Sequence, residues 1–203
     1  NGLEQELDAI LAAWYPGQRG GDAVADVLFG NYNPAGRLPV TFYSSTNELA
    51  DFEDYNMRAG NGFTYRYYNG DALYPFGHGI SYTKFKYSDL TVSKTRLNNT
   101  DELFVTIHVK NSGELDGEEV VQLYIKDIES TTWMPLKQLR GFKRISLKKG
   151  EKKMVEFKLN VSKDLRYYDA TKQTYAVESG DFEIQIGSSS KNILLKKIIS
   201  VEY

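Results

Sequence analysis

Residues Phe63–Phe85, FTYRYYNGDALYPFGHGISYTKF, lie between two halves of the chain that read differently. Tyr65, Tyr67, Tyr68, Tyr74, Phe76, Tyr82 and Phe85 make this a dense aromatic run, punctuated by Gly70, Pro75, Gly77 and Gly79. A flexible linker would be rich in Gly, Ser or charge and poor in rings. Rings bury large area and glycines permit tight turns, so the run predicts a packed seam joining two domains rigidly.

After the seam the hydrophobic period becomes two. Leu103, Val105, Ile107 and Val109 alternate with Phe104, Thr106, His108 and Lys110. The same alternation recurs at Val121-Leu123-Ile125, Val155-Phe157-Leu159 and Phe182-Ile184-Ile186, with turn residues between. Short alternating strands separated by turns predict an antiparallel β-sandwich over 84–203. Its strands are expected near 85–94, 102–110, 117–126, 138–147, 152–160, 173–178 with 181–187, and 193–202.

Before the seam, Ala9–Tyr15 (AILAAWY) is a short apolar run closed by Pro16-Gly17, which predicts a buried strand. Asp22–Phe29 carries Ala23, Val24, Val27 and Leu28 at helical spacing, with Gly30 placed to end the helix. Strand, glycine-rich turn and helix read as one unit of a parallel α/β sheet within 1–83. Ser44–Gly62 is a polar loop. Its Arg58 suits a sugar-binding wall and a domain interface equally. Trp14, Tyr15 and Gln18 could face a carbohydrate from the loop after the strand. Alternatively both rings are core and Gln18 caps a turn.

The 203 residues suffice for two domains of about 100 residues each. Residues 1–83 carry a net charge of −6 and residues 84–203 of +4. The lysines of the second half are interleaved with acids, which argues against nucleic acid as a partner. No apolar run reaches the roughly 20 residues of a membrane span. There are no cysteines and two distant histidines, so no metal site is expected. The turn YPGQRGG lacks the residues of a phosphate loop, and no cofactor is expected. Glu118-Glu119 would face opposite sides of a strand, and Glu53-Asp54 is expected to be solvated. His78 reads as a structural histidine and His108 as solvent-facing.

Three separated runs resemble the C-terminal part of glycoside hydrolase family 3 enzymes. They are AILAAWYPGQRGGDAVADVLFGNYNPAGRLPVTFY, YRYYNGDALYPFGHGISYTKF and ESGDFEIQIGSSS. The spacing of Asp54–Arg58 to Tyr65–Tyr68 looks more like the β-xylosidase branch than the β-glucosidases. The resemblance implies an upstream (β/α)₈ barrel, then an α/β sandwich domain, then a fibronectin type III-like domain. It implies retaining, exo-acting removal of terminal β-linked sugars, which needs two carboxyl groups about 5–5.5 Å apart. In the family the nucleophile lies in the barrel and the acid/base upstream of the YPGQ motif. No catalytic residue is therefore expected in this chain, which is expected to be an inactive tail. Trp14, Tyr15, Gln18 and Arg58 are expected to line the substrate pocket. The implied partners are a β-linked oligosaccharide and the N-terminal catalytic region of the same protein. Uncovered apolar faces would otherwise favour self-association. The chain starts at Asn1 without Met, as a trimmed piece would, and a periplasmic or secreted setting is expected. The competing reading is a non-catalytic carbohydrate-binding or adhesion module on the same sandwich.

Overall fold

A computed structural model describes residues 6–202. The alternating segments become strands of a two-layer sandwich. One layer is β3 (Phe85–Val92), β5 (Glu102–Asn111) and β8 (Lys152–Asn160), in the order β3-β5-β8. The other runs β4-β12-β11-β6-β7, from β4 (Arg96–Leu97), β6 (Gly117–Asp127), β7 (Gln138–Leu147), β11 (Gly180–Gly187) and β12 (Ile193–Val201). Pairing is antiparallel throughout except between β12 and β4. The residues expected to point inward do so. Leu103, Val105, Ile107 and Val109 are fully buried and join Val121, Leu123, Ile184, Ile186 and Ile199 in one core. Burying such a side chain contributes about 1.5–3 kcal/mol, so this face fixes the register of every strand.

The stretch 173–178 departs from expectation. β9 (Tyr167–Asp169) and β10 (Thr174–Ala176) form a separate hairpin, and β11 starts afresh at Gly180. Gly180 sits at φ +147°, a backbone setting that L side chains resist, and this breaks the run between the two strands.

Helix α1 spans Gly20–Leu28, as the 3.6-residue spacing predicts, and Gly30 follows it at φ +77°. Ala9–Tyr15 does not form a strand. Ile10, Leu11, Trp14 and Tyr15 are exposed rather than buried. A strand needs a neighbour's backbone ladder, and among the described residues none pairs with this segment. The reading of Trp14 and Tyr15 as core is therefore wrong. The polar loop after β1 (Phe42–Tyr43) contains a single 3₁₀ turn, Thr46–Glu48.

The seam folds as α2 (Thr64–Tyr67) and β2 (Ala72–Tyr74), which pairs with β1. It packs on the outer face of β6. Tyr65 stacks on Phe76 at 4.4 Å and meets the Tyr124 ring edge-on at 5.8 Å. Gln122 Nε2 donates to the carbonyls of Gly77 (3.1 Å) and Ser188 (2.7 Å), and Tyr124 donates to Gln122 Oε1 at 2.5 Å. Gln122 and Tyr124 are thus buried although they lie on the solvent face of an isolated sandwich. Asn33 adds a second tie, donating to the Asp116 carbonyl and accepting from Ser81 and the Tyr82 N–H.

Candidate functional site

The four residues expected at a sugar pocket fall into separate places. Trp14 sits at φ +50° on the unpaired segment and leads a chain of rings. Its ring lies 6.4 Å from Phe42, Phe42 lies 6.1 Å from Tyr74, and Tyr74 stacks on His78 at 5.5 Å. Burial, then the nearby Arg37, holds the His78 pKa below its ordinary value. His78 is therefore neutral at pH 7 and serves as a ring in this stack. Tyr15 is 99% exposed, and Gln18 is an exposed residue of the turn that leads into α1.

Arg58 belongs to another cluster. Its guanidinium lies 4.2 Å over the Trp133 ring and donates to the Trp133 carbonyl at 2.9 Å. The Tyr67 ring is 5.7 Å from the same guanidinium. Arg58 thus spans from the first half of the chain to the β6–β7 loop, which is the interface role considered above. Trp133 remains 55% exposed. Sequence reading missed Trp133, whose only signal was a tryptophan in a polar loop.

The acidic residues separate by environment. Glu118 and Glu119 do face opposite sides of β6. Glu118 accepts from Arg144, Tyr32 and Ser146, and the Arg144 bond above all lowers its pKa. Glu119 is buried, and Arg37 Nη2 donates to it at 2.7 Å. Burial outweighs that pairing and raises the Glu119 pKa. Asp127 is also raised, by burial first and then by Glu178. Its Oδ2 is buried without a hydrogen-bond partner, whereas Glu178 accepts from the Thr131 N–H and hydroxyl. Glu53 and Asp54 are exposed, and each half of that pair stays in its loop.

Among the described residues, no group of three or more His, Asp or Glu side chains stands where it could hold a metal ion. No described helix is long and apolar enough to cross a membrane.

Residues 1–82 match the glycosyl hydrolase family 3 C-terminal domain, and residues 119–190 match a fibronectin type III-like domain. The chain belongs to glycoside hydrolase family 3. Its fold is α/β followed by an all-β sandwich. A xylan 1,4-β-xylosidase of Xylanibacter ruminicola is 45% identical over 196 residues, 96% of this chain and 22% of that protein. A periplasmic β-glucosidase of Salmonella typhimurium is 37% identical, over 94% of this chain and 26% of that protein. Among solved structures, a β-glucosidase of Erythrobacter marinus superposes with a TM-score of 0.86 at 38% identity, over 98% of this chain and 26% of its own. A Kluyveromyces marxianus β-glucosidase in complex with glucose gives 0.87 at 32%, over 100% and 25%. The family 3 chain thus spans about a quarter of the length of these relatives.

Proposed function

We propose that this family 3 chain is the supporting C-terminal part of a retaining, exo-acting β-glycosidase that prefers β-xylosides to β-glucosides. In this reading residues 1–83 complete an α/β domain, residues 84–203 brace it, and the catalytic carboxylates come from the N-terminal region of the same protein. Trp14, Tyr15, Gln18 and Arg58 line the approach to the sugar. One relative carries the word periplasmic in its name, which favours export.

The observation that carries this reading is the exposure of Trp14 and Tyr15, on a segment with which no described strand pairs. Exposed rings next to donors such as Gln18 are what a sugar face stacks on and bonds to. The 45% identity to a named xylosidase supports the preference for xylosides.

The test uses the intact protein with aryl β-xyloside and aryl β-glucoside. The expected result is higher kcat/KM for the xyloside, a β-configured first product, and a raised KM in Trp14→Ala and Arg58→Ala. A faster glucoside rate would remove the stated preference. An inverted product would remove the retaining chemistry.

A further inference from the structure

Beside the seam, Arg66 and Arg140 converge on one neutral atom. Each donates an Nη2 hydrogen bond to Gln138 Oε1, both at 2.9 Å. The Nε–H of each is buried without a hydrogen-bond partner. Among the described residues neither arginine is ion-paired, and Arg58 is bonded through its guanidinium to a carbonyl. A guanidinium is always charged and offers five donors in a fixed fork. Two of them sharing one uncharged acceptor leave both donor capacity and charge uncompensated. Asp164 is the acid that acts on Arg140 from a distance, with Arg66 and Arg166 opposing it. Asp164 Oδ2 is already taken by the Asn160 N–H at 2.7 Å.

The backbone aims Arg140 at this place. The β6–β7 ladder pairs Leu123 with Gly141 and Tyr124 with Leu139, so Arg140 is the extra residue of a β-bulge. Arg140 also lines an open cleft with Leu139, Gly141 and Phe142. Arg66 is fixed from the other side, where its carbonyl accepts from the Leu136 N–H at 2.7 Å. The Tyr67 ring lies 6.0 Å from the Arg66 guanidinium, and Trp133 lies 6.0 Å beyond Tyr67.

We infer that Arg66, Gln138 and Arg140 form a carboxylate-binding site, flanked by the Tyr67–Trp133 rings, that holds an acidic sugar unit of a uronic-acid-bearing oligosaccharide. A planar carboxylate matches the guanidinium fork two bonds at a time, and the pair supplies the charge such a ligand brings. The sugar ring meets the exposed face of Trp133. The choice of a sugar as carrier rests on the glycosidase reading above; the carboxylate chemistry does not.

The 203-residue chain is titrated with glucuronate, glucose and inorganic phosphate, following tryptophan fluorescence and binding heat. Saturable glucuronate binding is expected, with no glucose binding at the same concentrations. Arg140→Met should weaken it roughly tenfold or more, the usual effect of removing a charged hydrogen bond. Gln138→Glu places a carboxylate of the protein's own between the two guanidiniums. That variant should raise the melting temperature and abolish glucuronate binding, which keeps the test meaningful if Arg140→Met misfolds. Absence of saturable glucuronate binding, or full binding in Gln138→Glu, would overturn the site. Phosphate competing as well as glucuronate would overturn the sugar as ligand. Binding is read without turnover, so a failed glycosidase assay leaves this result standing.

Discussion

Arg37 Nη2 lies 2.7 Å from Glu119 Oε1, and both side chains are more than nine-tenths buried. Arg37 comes from the loop before β1 and Glu119 from β6, so the pair pins the first half of the chain to the sandwich. Removing one partner from a buried pair costs about 3–5 kcal/mol, because the other charge is left uncompensated. Arg37→Met should lower unfolding free energy by that order at pH 7. Burial already holds the Glu119 pKa above its ordinary 4.5, and Arg37 opposes the rise. Without Arg37 the folded pKa climbs further. The carboxyl is then protonated in both states below about pH 4.5, so the deficit should shrink as pH falls. Urea unfolding at pH 7 and pH 4.5 reads the difference; an equal deficit at both would show that charge burial is not the cause.

Most of the sandwich was legible in the residues, because period-two alternation with one buried face leaves a strand a single register. The seam was legible for a related reason: rings and glycines together have few other uses. Three features were not. Ala9–Tyr15 has the composition of a buried strand, but pairing depends on neighbours far away in sequence, and among the described residues none pairs with it. Gln122 and Tyr124 alternate with Val121, Leu123 and Ile125, and nothing in β6 itself says that Gly77 and Tyr65 will cover them. Arg66 and Arg140 are 74 positions apart, and nothing in either segment says that both side chains will reach Gln138.

Asp127 should be a source of instability at neutral pH. Its folded pKa is raised by burial and by Glu178, so ionising it costs more in the folded chain than in the unfolded one. The folded state therefore gains stability as pH falls through that raised value, and the gain is complete below the ordinary 3.8. Asp127→Asn should be more stable than the parent at pH 7, with the advantage vanishing near pH 3.8. Thermal melts across that range provide the check. Lower stability of the variant at pH 7 would contradict it.

Gly77 is constrained twice. It sits at φ +80°, and a β-carbon there would collide with the Gln122 carboxamide that bonds the Gly77 carbonyl. Gly77→Ala should cost about 2 kcal/mol or more through strain and the lost bond. It should also increase amide hydrogen exchange in residues 63–78 more than in β5 or β8. Uniform loosening would argue that the seam and sandwich do not dock through Gln122.

Lys137 is a half-buried amine at the same junction. Its Nζ donates to the Ser190 carbonyl at 2.9 Å and lines a cavity of about 210 Å³. Burial, reinforced by Lys196, brings its pKa down to about 8. Competitive acetylation followed by peptide mass analysis should show Lys137 titrating near pH 8. A midpoint near 10.5 would mean that the ammonium is solvated.

Retaining glycoside cleavage needs an ionised nucleophile and a protonated acid facing one bond at about 5–5.5 Å. In the described residues Glu118 and Glu119 face opposite sides of β6, and Asp127 Oδ2 is buried without a hydrogen-bond partner. The decisive measurement is turnover of aryl β-xyloside by the purified 203-residue chain alone, beside the intact protein. The account predicts hydrolysis by the intact protein and none above buffer by the chain. Hydrolysis by the chain that survives repurification and disappears in Asp127→Asn would contradict it.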